Sequence, residues 1–160
     1  MSVPKSQRGE GKLVLHVELR KLAAHTLTKT RNAKKFGSSA TYFIERDDAG
    51  EVVAIEEKRS ASRESLARRI EDAAIGAGEC AWRANDIRVG EHGEGWPERK
   101  ALQEECIRHL DAMLWLLNVA RQACGLSGKE TKHWADMVRA CRNLARGWRD
   151  KDVKRYGRIR

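Results

Sequence analysis

The chain has 160 residues, 41% hydrophobic and 34% charged, with a formal net charge of +9 at pH 7. This is apolar enough for one core and one domain over 1–160, and too apolar for wholesale disorder. No run approaches the ~18 apolar residues of a membrane span, and no apolar stretch of a secretory leader follows the basic N-terminus, so a cytoplasmic protein without a membrane partner is expected.

Residues 1–11 are polar and glycine-containing and read as a basic arm. A first helix is predicted from about Lys12 to about Arg31, with Leu15, Leu19, Leu22 and Thr26 spaced 4, 3 and 4 along one face. Lys29, Arg31, Lys34 and Lys35 crowd its C-terminal end, where positive charge suits the helix dipole. The pattern then breaks. Thr41–Arg46 and Glu51–Glu56 are β-prone runs around the acidic, glycine-ended Asp47-Asp48-Ala49-Gly50, which predicts a β-hairpin insert over 36–59.

The second helix is expected to start near Ser60 or Ser62, both good N-caps. Leu66, Ile70, Ala73, Ala77, Cys80, Ala84 and Ile87 form a seam with unusually small residues in its middle. Gly76 and Gly78 each cost roughly 1 kcal/mol of helix propensity relative to Ala, which suggests close helix contact. Gly90, Gly93 and Gly95 end this helix, and Trp96-Pro97 opens the third. There Leu102, Cys106, His109, Met113, Leu116, Ala120 and Ala123 repeat the seam, broadened by Leu110, Leu114 and Leu117. Gly125–Gly128 is a tight connection to a fourth helix, about Lys129 to Arg149, with Trp134, Val138, Cys141, Ala145 and Trp148 inward. Residues 150–160 read as a basic tail. The fold expected is all-α, an up-down-up-down four-helix bundle with a small hairpin between helices one and two.

The positive charge is segregated. Residues 1–35 carry a net +7, residues 131–160 another +7, and the 95 residues between them −5. Segregated basic charge is the footprint of a polyanion binder. In this topology the first and fourth helices are neighbours, so the basic ends are expected on one side. Arg139, Arg142, Arg146 and Arg149 are spaced 3, 4 and 3, with Lys132 seven residues before the first. Arginine presents a planar fork that fits phosphate, and a row of forks can track a nucleic-acid backbone. Solvated faces usually mix signs, whereas this one interposes only Asp136 and Asp150. The nucleic-acid-binding residues expected are Lys5, Arg8, Lys12, Arg31, Lys34, Lys35, Lys132, Arg139, Arg142, Arg146, Arg149, Lys151, Lys154 and Arg155, with Arg142 and Arg146 facing solvent. Among the aromatics, Trp134 and Trp148 fall on the core stripe. Trp82 suits core or an oligomer interface, and Tyr156 is the exposed stacking candidate.

Cys80, Cys106, Cys124 and Cys141 form no CxxC and read as buried thiols. Cys106 and His109 could supply two metal ligands, yet no second CxxH and no Glu-x-x-His pair accompanies them. No metal and no cofactor is expected. There is no glycine-rich phosphate loop, GxSxG or HExxH, so the chain reads as a binder and not an enzyme.

The opening Met1-Ser2-Val3-Pro4-Lys5-Ser6-Gln7-Arg8-Gly9-Glu10-Gly11-Lys12-Leu13, together with Trp82-Arg83-Ala84-Asn85, His133-Trp134 and the stretch from Arg142 to Asp152, resembles the accessory variability determinant (Avd) proteins of diversity-generating retroelements. These are similar to four-helix proteins encoded in intervening sequences of bacterial large-subunit ribosomal RNA genes. The resemblance implies a homopentameric, barrel-like assembly. It implies a non-catalytic accessory subunit that binds the reverse transcriptase and its template RNA, or the cDNA or DNA/RNA hybrid made from it, in support of mutagenic cDNA synthesis. The alternative is a stand-alone oligomeric RNA-binding protein of the intervening-sequence type. Between Phe36 and about Ser65 the chain departs from the family pattern by inserting the hairpin.

Overall fold

The computed structural model describes residues 10–37, 40–59 and 62–158. In chain order the elements are α1 (Glu10–Thr30), α2 (Ala33–Phe36), β1 (Ala40–Arg46), β2 (Val52–Arg59), α3 (Ser62–Asp86), α4 (Trp96–Ala123) and α5 (Gly128–Tyr156). Four long helices build the molecule. α1 packs on α3 and α5, and α4 packs on the same two, so sequential helices are neighbours and α5 closes back on α1.

Cross-helix contacts fix the directions. Trp134, early in α5, donates its indole N–H to Thr26 Oγ1, late in α1, at 3.1 Å. His16, early in α1, stands edge-on to Trp82, late in α3, with ring centroids 5.9 Å apart. Arg99, early in α4, reaches Asp152, late in α5, and its Nη1 donates to Ile87 O just beyond α3. Neighbouring helices are therefore antiparallel, the up-down-up-down order the periodicity predicts.

The core follows the stripes closely on α1, α3 and α5. Leu15, Leu19, Leu22 and Thr26 of α1 are buried, as are Ile70, Ala73, Ala77, Cys80 and Ala84 of α3 and the five inward residues expected on α5. The small residues of α3 bring α4 close. A Cβ on Gly76 would sit 2.8 Å from the half-buried His109 ring, so a side chain there would have to push that ring aside. Gly78 is different: a Cβ there would meet nothing within 4 Å. On α4, Cys106, Met113, Leu116 and Ala120 of the expected stripe are buried, with Leu110 and Leu117 beside them. Leu102 and His109 are only half-buried, Ala123 is exposed, and Arg99, Gln103 and Ile107 join the buried face instead.

The connections use their turn chemistry. Gly93 and Gly95 take positive φ between α3 and α4, and a Cβ on Gly95 would lie 2.9 Å from Arg88 O. Ser127 caps α5 with a reciprocal box: its Oγ accepts from Glu130 N at 3.1 Å, and its N–H donates to Glu130 Oε2 at 3.3 Å. The hairpin is the expected one. Ile44 pairs with Ile55, and a register shift falls at Glu45/Arg46. Asp47 Oδ1 accepts from Ala49 N and Glu51 N at 3.0 and 2.9 Å, and Gly50 supplies φ +82°.

α3 begins at Ser62, one of its two expected starts, while Ser60 lies outside the described residues. Two boundaries differ from expectation. Phe36, placed at the start of the insert, is buried in the core edge-on to Trp134. The basic tail is mostly helix: α5 runs to Tyr156, because Asp152 is buried and Tyr156 packs on Trp96 with centroids 5.6 Å apart. Among the described residues, no helix is long and apolar enough to cross a membrane.

Candidate nucleic-acid interface

The arginine row lies along α5, a rod of roughly 43 Å at ~1.5 Å per residue. Its members do not stand alone. Asp136 accepts from Lys132 Nζ at 2.6 Å and from Arg139 Nη1 at 2.9 Å. Asp111, one helix away on α4, accepts from Arg142 Nη1 at 3.0 Å and from Arg146 Nη2 at 3.4 Å. Arg149 holds Asp150 at 2.7 Å. Five cations thus share three carboxylates, which leaves a surplus of positive charge along one edge. The hydrogen bond from Lys132, with Arg139 behind it, holds the Asp136 carboxyl below the usual carboxylate range. Exposed pairs of this kind hold weakly, because water and salt screen them.

Two expectations are corrected here. Arg142 does not face solvent freely; its side chain is only 23% exposed, because it leans into the α4/α5 seam to reach Asp111. The row also tilts toward α4 and away from α1, although α1 and α5 are neighbours. The cations at the end of α1 and on α2 therefore form a separate patch beside the start of α5. There Lys29 Nζ lies 3.4 Å from Glu130 Oε1, and Lys35 Nζ donates to Gly125 O at 2.6 Å. Arg31 is exposed nearby. At the other end of α5, Lys151 and Lys154 are exposed, and Arg155 lies 5.1 Å over the Tyr156 ring. Lys5 and Arg8 lie outside the described residues, as do the side chains of Lys12 and Lys34. The expected residues thus occupy two ends and one edge of a rod and not a single pocket.

Tyr156, the expected stacking residue, is half-buried between Trp96 and Arg155. The exposed indoles are Trp82 and Trp115, each 63% exposed. Trp115 was legible: it falls outside the α4 stripe, between the inward Met113 and Leu117. Asp111 was not, because its partners lie 31 and 35 residues away.

A second feature sits on another face. His16, Leu19, Ala23, Ala74, Ile75 and Trp82 line an apolar groove of about 200 Å³ between α1 and α3. Ile75 and Trp82 are exposed, and Gly78 leaves the groove floor open.

All four cysteines are buried free thiols. Burial pushes the Cys106 and Cys141 thiols up to about 12 and raises Cys80 and Cys124 as well. Cys106 and His109 acquire no third ligand: no group of three His, Cys, Asp or Glu that could hold a metal occurs among the described residues. His109 instead lies 3.7 Å from Glu105. Compared with protein-family models, curated proteins and solved structures, the chain matches none.

Proposed function

We propose that this protein is a non-catalytic nucleic-acid-binding subunit that works beside a reverse transcriptase. It would bind the template RNA and the polymerase as an Avd-type accessory protein of a diversity-generating retroelement. The observation that carries the reading is the α5 edge, where five cations share three carboxylates along an exposed helix. Such an edge offers arginine forks at helical spacing to successive phosphates. The carboxylates hold those forks extended until a phosphate replaces them. The sequence resemblance supplies the polymerase and the retroelement.

The assembly proposed is a homo-oligomer, a pentamer of about 90 kDa from 18.1 kDa chains. The α1/α3 groove supports self-association, because an apolar surface rimmed by exposed Ile75 and Trp82 favours burial against another chain. Linked copies would align several weak basic edges on one RNA, and avidity of this kind is worth about 100-fold or more.

The test is a fluorescence-anisotropy titration of labelled RNA across salt, combined with a search for a reverse transcriptase among the proteins that co-purify with it. The expected result is binding whose logarithm falls with log salt by roughly 0.7 per phosphate neutralised on single strands. Absence of binding at low salt would remove the nucleic-acid reading. RNA binding without any reverse-transcriptase partner would favour the intervening-sequence alternative.

A further inference from the structure

Tryptophan is rarely left this open; at 63% exposure the Trp115 indole is a large apolar plane offered to solvent. Its position gives that plane a chemical context. Trp115 lies one helical turn beyond Asp111, about 6 Å along α4. Asp111 is the carboxylate that gathers Arg142 and Arg146 from α5 at 3.0 and 3.4 Å. α4 and α5 are antiparallel, so the step from Asp111 to Trp115 runs the same way as the step from Arg142 back to Arg139. The indole therefore stands at about the height of Arg139, on the flank toward which the arginine row tilts.

We propose that Trp115 is a base-stacking platform at the edge of this row, and that the ligand read there is single-stranded RNA. One unstacked base lies on the indole, and its flanking phosphates reach Arg139, Arg142 and Arg146. The inference rests on the nucleic-acid reading above and adds the strandedness of the ligand. An A-form duplex keeps its bases stacked inside and presents only its backbone to a convex helix edge, so it gains from the arginines and not from the indole. A single strand gains from both, and every base has a face to stack. A protein docked on Trp115 is the competing occupant. The arginines at its side and its distance from the apolar α1/α3 groove favour the nucleic acid.

The experiment measures binding of a labelled single-stranded RNA and of a duplex of equal length to wild-type protein, Trp115→Ala and Trp115→Phe, with oligomer mass followed by light scattering. Wild type is expected to prefer the single strand. Trp115→Ala should lose about 10-fold or more on the single strand, keep its duplex affinity and salt slope, and keep its mass. Trp115→Phe should recover most of the loss. Single-strand affinity unchanged in Trp115→Ala, while wild type still binds RNA, overturns the platform and leaves the nucleic-acid reading standing. A change of oligomer mass in Trp115→Ala also overturns it, by making the indole a protein contact. Wild type that binds neither RNA removes both readings together.

Discussion

Asp152, near the end of α5, lies 2.7 Å from the Arg99 guanidinium at the start of α4, and both side chains are nearly closed to solvent, at 9% and 5% exposure. Asp152 Oδ2 accepts from Arg99 Nε and Gln103 Nε2, each at 2.8 Å, as well as from Arg99 Nη2. The guanidinium also lies 5.2 Å over the Trp148 ring. This network docks the last turns of α5 on α4. Asp152→Ala should cost about 3–5 kcal/mol, because it strands a buried guanidinium. Arg99→Leu combined with Asp152→Leu should recover much of that loss. Urea melts of the three variants check this, and a single-mutant cost below about 1 kcal/mol would remove the clamp.

Asp111 accepts from Arg142 and Arg146, so it would compete with any phosphate that the proposed RNA brings to them. Asp111→Asn should therefore raise RNA affinity several-fold, whereas charge reversal at Arg146 should lower it and flatten the salt slope by roughly one unit for each phosphate no longer neutralised. The same titrations measure both. Equal affinity for wild type and both variants would take RNA off this edge.

His25 is packed against His133 and Trp134, with ring centroids 5.4 and 5.7 Å away, and its Nε2 is buried with no hydrogen-bond partner among the described residues. Burial first, then His133 and Lys29, push its pKa below the ordinary 6.5. Glu130, the carboxylate on this patch, is held by Lys29 and Ser127. The unfolded chain then binds a proton that the folded chain resists, so stability is full above about pH 6.5 and declines as pH falls toward the lowered folded value. Melting temperature should drop over that interval, and His25→Gln should flatten the drop. Identical pH profiles for the two proteins would count against it.

Ile75 and Trp82 are exposed on the α1/α3 groove, so Ile75→Glu or Trp82→Ala should leave the helical signal intact while lowering oligomer mass. A hot-spot loss of about 2 kcal/mol or more corresponds to roughly 30-fold in association. Ala77→Glu, at a wholly buried seam position, should unfold the chain instead. Retention of full mass by Ile75→Glu would move the interface elsewhere.

Val52 and Val53 of the hairpin are exposed, and no hairpin residue belongs to the core among those whose side chains are described. Replacing residues 38–58 with a short Gly/Ser linker should preserve helicity and melting temperature, provided Phe36 is kept. A steep fall in thermal stability would make the hairpin part of the fold.

Most of the fold was legible because period and turn chemistry are local. The α1, α3 and α5 stripes, the Asp47–Gly50 turn and the Gly125–Gly128 connection all appear where the residues require them. The α4 stripe was legible at Cys106, Met113, Leu116 and Ala120 but incomplete, because Arg99 and Gln103 occupy two buried positions that apolarity alone discards. Asp152 was masked in the same way. It continues the 4, 3 spacing of Trp134, Val138, Cys141, Ala145 and Trp148, and a charged residue at such a position signals a buried partner. The candidate interface was legible as a set of cations on one helix. The neutralising role of Asp111 and the tilt toward α4 were not, since both arise from contacts between helices.

The four buried thiols give the molecule an internal clock. A thiol whose pKa is pushed up to about 12, as at Cys106 and Cys141, offers almost no nucleophile to an alkylating reagent while the helices stay closed. Labelling must then wait for each thiol to be uncovered. Cys124 sits at the α4 C-cap, whereas Cys80, Cys106 and Cys141 lie along the interior seams. The order in which the four are modified reads out which helix pair parts first and which parts only when the whole bundle opens.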